Sequence, residues 1–156
     1  MNTESALPQP AREKGHTGLG NAIALLALAG VVVSSISLRH HFGTAKTSFC
    51  DLGQSFNCDI VNRSTYSTAL GVPVALIGLL GYLLILAFAT IYREKAETPL
   101  LLTLASFAGL GFSLYLTYIE KFVLSAWCIL CLSSLALIAT EAVLSSFLLA
   151  KNTRNR

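Results

Sequence analysis

The chain of 156 residues is 54% hydrophobic and only 12% charged, with a formal net charge of +3 and a mean hydropathy of +0.65. Soluble domains average about 25% charged residues, so a water-soluble globule is excluded, and a disordered chain is excluded by the high hydrophobicity. The 11 lysines and arginines are scattered and form no stripe interleaved with aromatics, which sets nucleic acid aside as a partner. The class left is an integral membrane protein built as one compact unit.

In chain order, Met1 to Gly18 reads as a disordered leader. Leu19 to Leu38 is an uncharged run of 20 residues, enough to cross a hydrocarbon core of about 30 Å as a helix. It is too long for the apolar core of a signal peptide, usually about 7–15 residues, and lacks a small-x-small cleavage site. Residues 39–66 form a polar loop of 28 residues, long enough to be functional rather than a turn. Ser67 to Tyr92 is a second uncharged run, of 26 residues, which can span with tilt or begin outside the core. A short charged connection from Arg93 leads to Pro99, placed where a helix can start. Leu100 to Ile119 is the third run, and Phe122 to Ala150 the fourth, interrupted only by Glu141. Between those two, the connection at Glu120 and Lys121 is minimal. Lys151 to Arg156 is a basic tail.

These runs predict an all-α membrane protein: a four-transmembrane-helix bundle, residues 19–150, with one long external loop between helices 1 and 2. An even number of spans puts both termini on one side, with Arg12, Lys14, Arg93, Lys95, Lys151, Arg154 and Arg156. Only Arg39, Lys46, Arg63 and Lys121 lie opposite, in more loop sequence. The positive-inside rule therefore places both termini in the cytoplasm.

That topology gathers the four cysteines at one face. Cys50 and Cys58 fall in the long external loop, and Cys128 and Cys131 at the external start of the fourth span, in contact with an oxidising compartment. Three residues apart on a helix, Cys128 and Cys131 share a face, with Cys131 nearly one turn deeper in the lipid. Helix-terminal N–H groups and the helix dipole favour the thiolate of the outer cysteine, the species that performs exchange. Cys128 is thus the expected exchanging thiol, and Cys131 the one closest to a bilayer-soluble molecule. Cys50 and Cys58 stand on a segment containing Gly53 and Asn57, suited to a mobile disulfide that meets a soluble partner and then Cys128. Two such pairs make a relay whose natural final acceptor is a quinone, which takes two electrons and two protons. Competing readings are cysteines as buried hydrophobes, a four-cysteine zinc site, and disulfides acting as staples in a structural membrane subunit.

The combination of Cys50, Cys58-Asp59-Ile60-Val61-Asn62, Ser64, Tyr66, Ser67, Gly71-Val72-Pro73 and Cys128-Ile129-Leu130-Cys131 resembles the vitamin K epoxide reductase family. It is most similar to the bacterial thiol-oxidising homologues, over roughly residues 20–150. The other bacterial quinone-linked thiol oxidase has its CxxC in the first external loop, the reverse of the order here. The resemblance implies a thiol:quinone oxidoreductase of the bacterial cytoplasmic (inner) membrane, with its cysteine pairs facing the periplasm and supporting disulfide bond formation. Cys50 and Cys58 would accept electrons from a thioredoxin-fold protein, and Cys128 would exchange with a loop cysteine, in first place Cys58. Cys131 would face the quinone, ubiquinone or menaquinone, with no metal involved. Ser64 matches a serine the family needs near the redox centre; its other reading is an N-cap for the second span. Vertebrate members that reduce the epoxide carry a tyrosine where this chain has Leu135, which argues against epoxide reduction as the purpose. Reduction of a quinone or vitamin K epoxide with thiols as fuel is the alternative within enzymes. Many bacterial members carry a fused thioredoxin-like domain; with the sequence ending at Arg156, the dithiol partner is expected to be a separate protein.

Other residues carry weaker signals. Tyr115 and Tyr118, near the external end of the third span, are candidates to bound a quinone pocket, or members of the interfacial aromatic belt. His40 and His41 are proton-relay candidates or interfacial anchors. Glu141 lies about 15 Å deeper than Cys131 and is expected to snorkel or pair with a loop cation. Ala105, Gly109 and Ser113, and likewise Gly71 and Ala75, recur every four residues as helix-packing positions. Pro73 is expected to bend the top of the second helix.

Overall fold

The computed structural model describes residues 10–43, 57–93, 95 and 97–154, with side chains from residue 18 onward. Cys50 and most of the long first loop lie outside the described residues. Among those described, five helices follow in order: α1 (Pro10–Phe42), α2 (Cys58–Asn62), α3 (Val74–Thr90), α4 (Thr98–Ile119) and α5 (Ile129–Arg154). Three stretches, Gly18–Phe42, Thr98–Leu124 and Ile129–Arg154, are long and apolar enough to cross a membrane; Val74–Thr90 is a shorter apolar helix.

The boundaries differ from the uncharged runs in physically explicable ways. α1 starts at Pro10, within the segment expected as a leader, and continues through Arg39, His40 and His41, the Arg39 charge suiting the negative end of its dipole. The second run begins outside the helix. Thr65–Ser67 forms a 3-10 turn, and β1 (Thr68–Ala69) pairs antiparallel with β2 (Val72–Pro73). Leu70 and Gly71 close this hairpin with φ of 54° and 83°, the left-handed backbone that a two-residue turn of matching twist demands. Gly71 is therefore a turn residue, not a helix-packing one. Pro73 caps α3 rather than bending it. The 17 residues of α3 reach about 25 Å, less than the hydrocarbon thickness of about 30 Å.

The last connection also departs from expectation. Glu120 to Leu124 extends α4 as a π-turn, and the chain reverses at Ser125, whose φ is 49°. Helix α5 opens only at Ile129, so the fourth helix does not begin at Phe122, and Cys128 precedes it. Pro99 stands in the first turn of α4, where its missing N–H removes no helix bond.

One core unites the four longer helices. Ile23 and Ala27 of α1, Tyr82 and Ile85 of α3, Leu102 of α4 and Ile138 of α5 are all buried in it. Gly30 lets the Tyr82 ring lie against α1: a Cβ there would meet the ring at 2.3 Å. The Tyr82 hydroxyl then donates to the Ser134 carbonyl at 2.9 Å, joining α3 to α5. Gly109 gives the same clearance to Ile138, so this part of the small-residue pattern does serve packing.

The distribution of polarity is inverted relative to a soluble bundle. Ser34, Ser37, Thr103, Ser106, Glu141 and Ser145 are buried, while Leu25, Leu80, Leu104, Leu114 and Phe147 are exposed. Several hydroxyls within the helices return to their own backbone: Ser35 to Val31 and Thr103 to Pro99 at 2.7 Å, Thr117 to Ser113 at 2.9 Å. In lipid, where no water completes a donor, such local satisfaction is favoured.

Glu141 does not snorkel, and it has no partner among the described residues. It is fully buried, with no hydrogen-bond partner for either carboxyl oxygen. The side chain sits in the interior of α5, facing the bundle, too far from the helix end to reach water.

Candidate active site

The site is assembled where α2 meets the α4–α5 connection. Asn57 caps α2, its side chain accepting the Ile60 N–H at 3.1 Å. Its own N–H donates to the Trp127 carbonyl at 3.0 Å, fastening the start of α2 to the residue before Cys128. Cys58 and Cys128, 1% and 0% exposed, then share one buried cluster with Val61, Ala126 and Leu130, and Cys131 packs against it.

Glu120 organises the other side. Its backbone carbonyl accepts the Ala126 N–H at 3.2 Å, and its Oε2 accepts the Cys128 N–H at 3.1 Å. The Cys128 carbonyl in turn accepts the Leu132 N–H at 3.0 Å, the first bond of α5. Cys128 thus occupies the cap of a helix whose first N–H groups lack intrahelical partners. The Cys131 thiol, donating to the Cys128 sulfur, holds Cys128 below the ordinary thiol range. Backbone N–H groups of Cys131 and Leu130 act in the same direction, against burial and the nearby Glu120 charge.

Cys58 is disulfide-bonded, whereas Cys128 and Cys131 are free thiols. The two free sulfurs and one carboxylate oxygen of Glu120 lie within 4.8 Å of one another. The chemistry supplied directly is a dithiol able to close into a disulfide, next to an existing disulfide with which it can exchange.

A cavity adjoins these groups. Its polar wall includes Ser37, His41, Asn62, Ser64, Glu120 and Cys131; Val33, Phe112, Leu116 and Leu130 supply apolar wall. Asn62 is 6% exposed, its Oδ1 accepting from Ser37 Oγ at 2.9 Å and its carbonyl lying 2.7 Å from His41 Nδ1. Among the described residues, two buried polar atoms on this wall have no hydrogen-bond partner: Asn62 Nδ2 and Glu120 Oε1. Unsatisfied buried groups are costly, so a donor and an acid left open on one cavity wall mark where a polar ligand would be held.

The sequence-derived candidates fall unevenly around this centre. Cys58, Cys128 and Cys131 come together, and Cys50 lies outside the described residues. Ser64 lines the cavity; its hydroxyl donates to the Val61 carbonyl at 2.8 Å and does not cap α3, which starts at Val74. His41 reaches the wall. Tyr115 and Tyr118 are each 59% exposed and do not line the cavity, because residues 112, 113, 116, 119 and 120 form the inward stripe of α4. The tyrosine on the wall is Tyr66. Glu120 and Asn62 are the residues that sequence reasoning missed. The Glu-Lys pair reads as a minimal connection, and the available signal was an acid and a lysine followed by six apolar or small residues before Cys128.

A family model described as the Vitamin K epoxide reductase family matches residues 21–146, a span containing the whole of this site. By that match, the chain belongs to the vitamin K epoxide reductase family of membrane thiol and quinone oxidoreductases.

Proposed function

We propose that this protein reoxidises a separate periplasmic thioredoxin-fold disulfide donor and delivers the electrons through two cysteine pairs to ubiquinone or menaquinone. In this reading the hairpin and α3 complete a fourth crossing of the bacterial inner membrane. Both termini are cytoplasmic, and the sulfurs face the periplasm. The clustering of Lys and Arg near the termini and at Arg93 to Lys95 supports that orientation.

One observation carries the reading: a disulfide-bonded Cys58 and a free Cys128 share a buried cluster, and Cys131, the partner of Cys128, lines the adjoining cavity. Cys50 and Cys58 receive electrons from the partner protein as a loop dithiol. The Cys58 thiolate attacks the Cys128 sulfur of a Cys128–Cys131 disulfide, and Cys131 leaves as the thiol. Cys50 then displaces Cys128 from Cys58, restoring the loop disulfide. The result is the redox state of Cys58, Cys128 and Cys131 described above, an inner dithiol ready for oxidation. A quinone supplies the acceptor for two electrons and two protons. The cavity fits such a group: Asn62 Nδ2 is a free donor for a carbonyl oxygen, beside the Cys131 thiol and an apolar wall. Ser64 stands on the same wall.

The test is quinone reduction by the membrane-reconstituted protein. Cys128→Ala and Cys131→Ala are expected to abolish it. Cys50→Ala and Cys58→Ala are expected to keep turnover with a small dithiol and lose it with a thioredoxin-fold dithiol protein. Normal quinone reduction by Cys131→Ala would overturn the assignment.

A further inference from the structure

We propose that Glu120 is the proton carrier of the inner dithiol, taking the Cys131 thiol proton and passing it to the acceptor bound in the adjoining cavity. The inference deepens the function proposed above and rests on it for the identity of the acceptor. Glu120 is 1% exposed and stands at the junction of three things: the Cys128 N–H, the two reacting sulfurs and the cavity wall. Its two oxygens are not equivalent. Oε2 accepts the Cys128 N–H, while Oε1 has no hydrogen-bond partner among the described residues.

A helix-cap clamp on Cys128 needs one acceptor oxygen, which an amide provides equally well. The open oxygen is what a proton carrier requires: it binds a proton when the thiol ionises and donates it when an acceptor oxygen arrives. Among the described residues, Glu120 is the carboxylate grouped with both sulfurs.

The step balances as follows. The Cys131 S–H bond breaks and an Oε1–H bond forms on Glu120. The Cys128–Cys131 S–S bond then forms, and one electron pair leaves the dithiol for the quinone. Glu120 returns its proton to one carbonyl oxygen of the acceptor. A second proton, drawn from water, replaces the one that Cys128 lost on ionising. The products are a disulfide, a hydroquinone and a carboxylate restored to its starting state.

Glu120→Gln tests this, because the amide oxygen keeps the Cys128 N–H bond and the side-chain shape while losing the proton. Quinone reduction is expected to fall about 100-fold, the lower range for loss of a general acid–base, with exchange between Cys58 and Cys128 retained. Glu120→Asp keeps a carboxyl and is expected to recover part of the rate. A second readout needs no quinone: while a small-molecule disulfide oxidises the dithiol, time-resolved infrared difference spectra are expected to show a transient protonated-carboxyl band that shifts in Glu120→Asp and is missing in Glu120→Gln. Glu120→Gln turnover within twofold of the parent, or an infrared difference spectrum without that band, would overturn the proposal. If the parent protein reduces no quinone but the band appears during oxidation, the acceptor assignment fails while proton transfer to Glu120 stands. Should Glu120→Gln not fold, the Glu120→Asp band shift and rate decide.

Discussion

The N–H of Asn57 donates to the carbonyl of Trp127 at 3.0 Å, one residue before Cys58 on one strand of chain and one before Cys128 on the other. Two cysteines 70 positions apart in sequence leave this pairing as neighbours in one buried cluster. A single backbone bond thus sets the register of the two redox segments.

That register predicts which mixed disulfide forms. With both Cys50→Ser and Cys131→Ser, the two thiols that would resolve a Cys58–Cys128 bond are gone. Partial reduction followed by reoxidation should then accumulate a Cys58–Cys128 cross-link, identified by mass spectrometry of non-reduced peptides. A Cys50–Cys128 cross-link accumulating instead, in the matching Cys58→Ser and Cys131→Ser pair, would show that Cys50 is the exchanging loop thiol.

Cys128 should ionise at lower pH than an ordinary thiol, whose pKa is about 8.5. The principal cause is the Cys131 thiol donating to its sulfur. A depressed pKa puts the reactive thiolate in excess at lower pH, so the pH–rate profile for alkylation of Cys128 by a small reagent should have its midpoint below the ordinary value. Removing the donor in Cys131→Ala should move that midpoint upward. An unmoved midpoint would assign the effect to the helix N–H groups instead.

Gly30→Ala should destabilise the bundle by about 1–3 kcal/mol, the usual cost of overpacking. The added Cβ would stand 2.3 Å from the Tyr82 ring, and that ring is held by its hydroxyl bond to Ser134. Thermal unfolding in detergent measures the loss. The double variant with Tyr82→Leu should lose less than the sum of the two single changes, because the clash is shared.

Glu141→Met should stabilise the protein, by about 1–3 kcal/mol, the penalty of a buried polar group without partners. Both carboxyl oxygens are enclosed and unsatisfied, and the residue lines neither the cavity nor the sulfur cluster. A raised Tm with unchanged turnover is the expected result. A drop in turnover would show that the acid carries a function within α5.

The membrane character was legible in composition alone, and the apolar runs located the long helices of the bundle. The helix ends were not. Thr65 to Pro73 contains no charge to mark it off from α3, yet Gly71 and Pro73 turn it into a hairpin. Charge is a poor guide at the other end as well. Glu120 and Lys121 read as a loop, but the chain continues as a π-turn that draws Glu120 inward and leaves Lys121 exposed over the Phe122 ring. Helical spacing gave Tyr115 and Tyr118 the right height for a pocket but could not tell which side of α4 faced it.

By itself the sequence determined that this chain belongs in lipid and that it carries two cysteine pairs of different spacing, because hydropathy and residue identity are properties of the chain. Only the tertiary structure decided that Cys58 meets Cys128, that Asn62 and Glu120 open onto the cavity beside Cys131, and that Glu141 is sealed in. Those are relations between segments far apart in sequence, fixed by backbone pairing and by which helix faces pack together, and neither is written in any local pattern.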